Sequence, residues 1–273
     1  MSFYLVKKSD DIWTGQFTKL EQPGLVQAIS TRFGGVSEGL YGSMNLALHV
    51  GDAHEAVIEN RRRFCSALGT DFERLTTPEQ IHGDKVVCVT EKEAGRGRLA
   101  YEDAIKGTDA LVPNLIRVPL MLCYADCTPL MFYDPVKGAI GVAHGGWKGT
   151  YLGIAGKTVQ AMHEAFGSEP ADILAAIGPA IGPACYEVGD EVAEKFRGAY
   201  PADEEYILEK HGEKYHLNLW EANRRQFLQA GIPEKNIDHA ESCTQHNAQV
   251  FYSYRASGGK TGRIAAFLCL TEK

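Results

Sequence analysis

The chain of 273 residues has no long apolar run, no basic run, no repeat of repeat-protein length and no low-complexity segment. Each absence removes a class of protein. The most apolar stretch, residues 110–133, is interrupted by Asn114, Arg117 and Asp126, which excludes a membrane span. The opening MSFYLVKKSDDIW has lysines but no apolar stretch behind them, so it does not read as a secretory signal. There are 28 basic residues against 35 acidic ones, a net charge of −7. That balance argues against nucleic-acid or anionic-membrane partners. No linker is long enough to part the chain, so residues 1–273 are expected to form a single domain.

Cysteine is sparse: seven residues, an odd number, scattered and without a C-x-x-C pair. At 44% apolar and 23% charged residues, a chain this long can bury a sufficient core without disulfides or a metal. Reduced thiols in a cytoplasmic protein are therefore expected. Other signatures are also missing. Gly156-Lys157-Thr158 and Gly259-Lys260-Thr261 imitate the end of a phosphate-binding loop, but Tyr151 and Tyr254 stand where its first glycine belongs. Gly95-Arg96-Gly97-Arg98 lies in a charged stretch with no helix pattern after it. There is no G-x-S-x-G elbow and no zinc cytidine-deaminase signature.

Periodicity predicts strands over 25–33, 85–90, 119–125, 130–133, 139–143, 173–177, 250–254 and 264–270, the last two as a pair. Helices are predicted from Asp52, as N-cap, to Gly69, and over 151–166, 190–196 and 219–230, with a hairpin over 206–217. Strands and helices mix without a regular βαβ alternation, so the expected class is a layered α+β fold.

Three places set a reactive side chain against turn-type backbone at a strand end: Gln80-Ile81-His82-Gly83-Asp84, Asp126-Cys127-Thr128-Pro129, and Ala143-His144-Gly145-Gly146-Trp147-Lys148. Glycine-rich loops at strand ends let backbone approach a ligand closely. Imidazole and thiolate both suit zinc, and three protein ligands leave a fourth position open for water. Taken singly, each residue has a plainer reading. A histidine beside glycine usually serves structure, and Cys123 in PLMLCY reads as core filling. Cys127 fits that reading worse, because Asp126 beside it is awkward to bury unpaired. Arg32 in TRFGG, Lys148 in GGWKG, Arg255 in YSYR and Arg263 in the glycine loop are cations suited to an anion such as phosphate.

TRFGGVS with MNLALHVGD, then QIHGDKV, GTDALV, ADCTPLMFYD, AHGGWKGT, IGPAIGPACYEVG and FYSYRASGGKTGRIAAF together resemble the laccase-domain, or YfiH-like, family. The match runs in order along nearly the whole chain. The segment Gly39–Asn45 departs slightly, with Leu40 near an expected proline and Met44 in place of leucine. The resemblance implies a four-layer α/β/β/α sandwich with mixed sheets, related to bacterial toxins that carry a Cys-His deamidase site. It implies a metal site at His82, Cys127 and His144, holding Zn2+, with Cu2+ the alternative. Members were first labelled polyphenol oxidases and later recognised as purine nucleoside phosphorylases. The implied activities are phosphorolysis of adenosine, inosine and methylthioadenosine, and hydrolytic deamination of adenosine, so the partners are purine nucleosides and phosphate. Asp126 is the expected proton carrier. Arg32, Asn45, Lys148 and Arg255 are the expected phosphate and ribose contacts.

Three other readings stay open from the residues. One is a copper polyphenol oxidase, although the nine histidines include no His-x-His pair. Another is a Cys-His hydrolase with Cys127 as nucleophile and His144 as base. The third is a closed structural zinc site with Cys185, Cys243 or His246 as fourth ligand.

Overall fold

The computed structural model describes residues 2–9 and 11–271. The first half contains strands β1 (Phe3–Lys7), β2 (Trp13–Phe17) and β3 (Leu25–Ser30), then helix α1 (His54–Ala67). Strands β4 (Val86–Cys88), β5 (Ala110–Val112), β6 (Leu120–Tyr124), β7 (Thr128–Asp134) and β8 (Ala139–Gly145) follow. After them come α2 (Trp147–Tyr151), α3 (Ile154–Phe166), β9 (Leu174–Ile177), β10 (Glu187–Val188), α4 (Asp190–Ala199) and α5 (Glu204–Ile207). The chain finishes with β11 (Leu208–His211), β12 (Lys214–Leu217), α6 (Leu219–Gln229), β13 (Ile237–His239) and β14 (Ile264–Leu270).

The strands form a five-stranded sheet, β1-β2-β3-β14-β6, a six-stranded sheet, β13-β9-β7-β8-β5-β4, and a small β10-β12-β11 sheet. The two large sheets stack face to face, and the reason is written in their side chains. Alternate residues of a strand point to opposite faces. In β14, Ile264, Ala266 and Leu268 enter the core between the sheets, while Ala265, Phe267 and Cys269 pack outward with Phe64 and Cys65 of α1. In β7, Met131 and Tyr133 enter that same central core, while Leu130 and Phe132 turn toward Val159, Met162 and Phe227 of α3 and α6. Both faces of each large sheet are covered, so these strands read as continuous apolar runs rather than alternating ones. The layers are α1, sheet, sheet, then α3 with α6. This is an α+β fold in four layers, α/β/β/α.

Several predicted elements differ in detail. Asp52 does not cap α1. Its carboxylate instead accepts from Ser37 Oγ at 2.6 Å and Asn45 Nδ2 at 2.9 Å, and the helix begins at His54. The predicted helix 151–166 is split at Gly153, whose left-handed φ of 83° separates α2 from α3. The predicted strand 250–254 is a turn: the N–H groups of Val250 and Phe251 both bond the Asn247 carbonyl. Its apolar pattern reflects burial of Phe251 and Tyr252, not sheet pairing, and β14 pairs with β3 and β6 instead. β1 and β2 lie outside the predicted set, because their short, mixed sequences carry little apolar periodicity. No helix among the described residues is long and apolar enough to cross a membrane.

Register decides where chemistry gathers. In the β7–β8 hairpin, Pro129 lies opposite His144 and Thr128 opposite Gly145. The start of β7 and the end of β8 therefore share one end of the six-stranded sheet. Pairing of Ala110 with Ala143 brings Asp109 beside His144, and pairing of Val86 with Ala110 delivers the loop before β4 to the same end.

Phe267 is fully buried and meets Phe64 edge to face at 5.6 Å. Phe267→Ala is expected to lower unfolding free energy by about 3–5 kcal/mol. Chemical denaturation should show a lower midpoint with an unchanged slope.

Candidate metal centre and cavity

His82 sits in the loop before β4, Cys127 immediately before β7 and His144 near the end of β8. One ligand atom from each lies within 4.8 Å of the others. Sulfur of Cys127 is 4.0 Å from Nδ1 of His82, and the two imidazole rings are 4.7 Å apart, edge to face. The three segments flagged from the sequence thus converge.

What holds them is Asp109, fully buried immediately before β5. Its Oδ1 accepts from the His82 N–H at 3.0 Å, and its Oδ2 from the N–H groups of Ile81 at 3.2 Å and Gly83 at 2.7 Å. His144 Nδ1 is 2.9 Å from the same Oδ1. That bond fixes the ring and turns Nε2 toward the cluster, the usual arrangement behind a metal-ligating histidine. Gln80 adds a second anchor, exchanging bonds with the backbone of Cys123 at 2.9 and 2.8 Å. So pinned, His82 adopts a left-handed φ of 58°; Asp126, with a φ of 82°, is held instead by Thr244 and Arg255. Such conformations in non-glycine residues persist only where the surroundings impose them.

Glycine makes the cradle. A Cβ on Gly146 would stand 3.0 Å from His82 Nδ1 and 3.1 Å from the Cys127 sulfur, and one on Gly149 would lie 2.8 Å from the Gly83 carbonyl oxygen. The motif AHGGWKG is therefore needed for space.

Electrostatics prepare the thiol. Burial pushes Cys127 up, but the charge and hydrogen bonds of His144 and His82 outweigh it and bring it down to about 6. Burial pulls His144 down, but Cys127 and the Asp109 carboxylate raise it to about 9. Burial also raises Asp109, yet its bonds from His144, Gly83 and Ile81 leave it below the usual carboxylate value. Near neutral pH the pair is thus a thiolate beside a protonated His144, so a metal that takes the thiolate displaces the proton on His144. Two imidazoles and one thiolate fit zinc well.

The cluster opens onto a cavity of about 480 Å3, within the size range of small-ligand sites. Trp147, Tyr186 and Tyr254 line it, together with His49, Gln80, Asp126, Arg255 and Arg263. Asp126 is buried, with Oδ1 accepting from the Thr244 hydroxyl at 2.6 Å and Oδ2 from the Arg255 N–H at 2.7 Å. Burial, then the charges of Arg263 and Arg61, lower His49 to about 4, so it is neutral at physiological pH.

Of the four expected phosphate and ribose contacts, only Arg255 lines the cavity. Arg32 donates to the carbonyls of Gly42 and Ala248 and lies over the Tyr252 ring, so its fork braces loops. Asn45 is fully buried, accepting from the N–H groups of Ala47 and Arg263. Lys148 is exposed on α2. Cation-rich glycine loops looked alike in the sequence, but some brace loops and others face the cavity. His49, Gln80 and Asp109 carried no role in the sequence reading. The available signal was an acid directly before the apolar strand ALV, where burial demands partners. Cys185, Cys243 and His246 do not close the first site; they form a separate group of their own.

The sequence model described as multi-copper polyphenol oxidoreductase laccase matches residues 26–271. The chain belongs to that laccase-like family. It is 41% identical over 92% of both chains to a Geobacillus stearothermophilus protein named purine nucleoside phosphorylase YlmD. It is 35% identical to a Bacteroides thetaiotaomicron protein named purine nucleoside phosphorylase, covering 86% of this chain and 88% of that one. It superposes on the crystal structure of Bacillus licheniformis hypothetical protein YfiH with a TM-score of 0.92 at 37% identity, covering 97% and 98% of the two chains.

In this laccase-like fold Asp109→Asn keeps one acceptor but turns an NH2 toward a backbone N–H or His144. It is expected to cost about 3 kcal/mol of stability and to weaken about 10–100-fold the binding of a metal offered to the His82–Cys127–His144 cluster. Thermal unfolding and competition with a chromophoric chelator measure the two effects separately.

Proposed function

We propose that residues 1–273 form one catalytic domain that cleaves purine nucleosides by phosphorolysis, with adenosine, inosine and methylthioadenosine as substrates, and that also deaminates adenosine hydrolytically. The observation that carries this reading is the His82–Cys127–His144 cluster opening on a cavity that offers both aromatic faces and arginines. The names of the relatives agree with it.

His82, Cys127 and His144 would hold Zn2+, and Cu2+ is the less suited alternative for this donor set. Bound zinc supplies Lewis-acid polarisation. The chain's own residues do the rest. Trp147, Tyr186 and Tyr254 offer flat apolar faces to a purine. Arg255 and Arg263 offer charge-assisted donors to phosphate. In phosphorolysis a phosphate oxygen bonds to C1′ of the ribose as the bond from C1′ to the purine nitrogen breaks. The electron pair leaves on the base, which takes up a proton. In deamination water adds at C6 of adenine and ammonia departs. The carboxylate of Asp126 faces the cavity and is placed to relay a proton, with its orientation fixed by Thr244 and Arg255. His49, uncharged, is placed to exchange hydrogen bonds with a neutral base.

One observation favours a second reading. Cys127, His144 and Asp109 form a thiolate, imidazole and carboxylate line, the arrangement of a Cys-His hydrolase.

The test is a product scan of adenosine with and without phosphate, on the wild type and Cys127→Ala. Expected products are adenine with ribose 1-phosphate, dependent on phosphate, plus inosine with ammonia. Cys127→Ala should lose both zinc and turnover. Full activity in a metal-free Cys127→Ala chain contradicts the scheme. Activity that survives chelators but dies on thiol alkylation supports the hydrolase instead.

A further inference from the structure

A second set of metal-ligating side chains lies outside the catalytic cluster. Cys185, Cys243 and His246 each place a ligand atom within 4.8 Å of the others. The loops that carry them follow β9 and β13, parallel neighbours that run out to the same end of the six-stranded sheet as the first site. Sulfur of Cys185 is 3.1 Å from Nε2 of His246. The backbone locks the two loops together: Ala180 N–H donates to the Ser242 carbonyl at 3.2 Å, and Thr244 N–H to the Ala180 carbonyl at 3.0 Å.

Two features make this more than a chance grouping. The Gly182 N–H donates to the Cys243 sulfur at 3.2 Å, an outer-sphere bond of the kind that stabilises a ligating thiolate. The set is also graded in exposure, with Cys243 buried, Cys185 half-buried and His246 exposed, so an ion has an entry path. Two cysteines side by side resist ionising together, and a divalent cation between them would offset that cost while using the imidazole as third ligand.

We propose that Cys185, Cys243 and His246 form a second metal site for a thiophilic d10 cation, zinc foremost. Its role is to clamp the 180–186 and 242–247 loops. Those loops shape the first cavity. Tyr186, next to Cys185, lines it, and Thr244, next to Cys243, holds the Asp126 carboxylate. Arg255, also in the lining, donates to the Glu187 carbonyl at 3.1 Å. The second ion would thus fix one wall of the cavity without touching substrate.

The experiment is zinc stoichiometry of the full chain after loading with zinc sulfate and desalting, with free thiols counted in parallel. Two zinc ions per chain are expected in the wild type and one in Cys127→Ser. One is also expected in Cys185→Ser, and none in the Cys127→Ser/Cys185→Ser double variant. His246→Asn changes an exposed side chain and serves as the variant that keeps the fold. It should lose the second zinc to a competing chelator that leaves the wild type loaded. Cobalt-loaded Cys127→Ser should retain thiolate-to-metal absorption, which disappears when Cys185 is also replaced. A single zinc that is lost with Cys127→Ser and unaffected by Cys185→Ser overturns the proposal. So does a Cys185–Cys243 disulfide that persists in the purified chain and binds no zinc.

Discussion

One buried carboxylate organises this protein's chemistry. Asp109 takes four donors, three from the backbone of residues 81–83 and one from His144. A charge with no solvent exposure is tolerated only when its oxygens are filled, and here the filling is the site itself. The same contact curls the loop that presents His82, orients the His144 ring and biases the Cys127 thiol toward thiolate. The direct contact of the His82 and His144 rings, 4.7 Å apart, adds to this coupling between the β4 loop and the end of β8. The sheet register supplies the coarse approach, and Asp109 supplies the final alignment.

The cavity is built from a different logic. The side formed by His82, Cys127 and His144 is set by strand ends and glycines, where backbone rather than side chain fills space. Its other sides come from segments that bring in Trp147 after β8, Ile181 and Tyr186 after β9, Tyr254 and Arg255, with His49 and Arg263 beside them. These segments carry aromatic and cationic groups in contact with solvent, and they are joined to the site through Asp126. The multi-copper description attached to the family sits uneasily with this architecture. Among the described residues the groups able to hold a metal are two sets of three, each mixing thiol and imidazole.

Much of this was legible in the sequence, though unevenly. The layered α+β class followed from the mixture of apolar runs and amphipathic segments, and β6, β7, β8 and β14 announced themselves because both their faces are buried. His82 and His144 stood out because each adjoins glycine at a strand end, and Cys127 because it lies in a turn beside Asp126. Asp109 stayed silent, since its role depends on a pairing between strands 33 residues apart that no local pattern records. Arg32 and Asn45, expected as contacts, lie outside the cavity lining for the converse reason. A cation or amide in a polar loop looks the same whether it faces a ligand or braces its neighbours. Residues 250–254 looked like a strand because burial, not pairing, selected their apolar side chains.

The claim on which the account rests is that three distant stretches meet on one cation with a face open to the cavity. Anomalous diffraction at the zinc edge, on crystals of the untreated protein, tests it most directly. The expected result is an anomalous peak within bonding distance of His82, Cys127 and His144, with the ion's remaining position toward Trp147 and Tyr186. A peak walled in by four protein ligands, or no peak at this cluster in a fully active crystal, would contradict it.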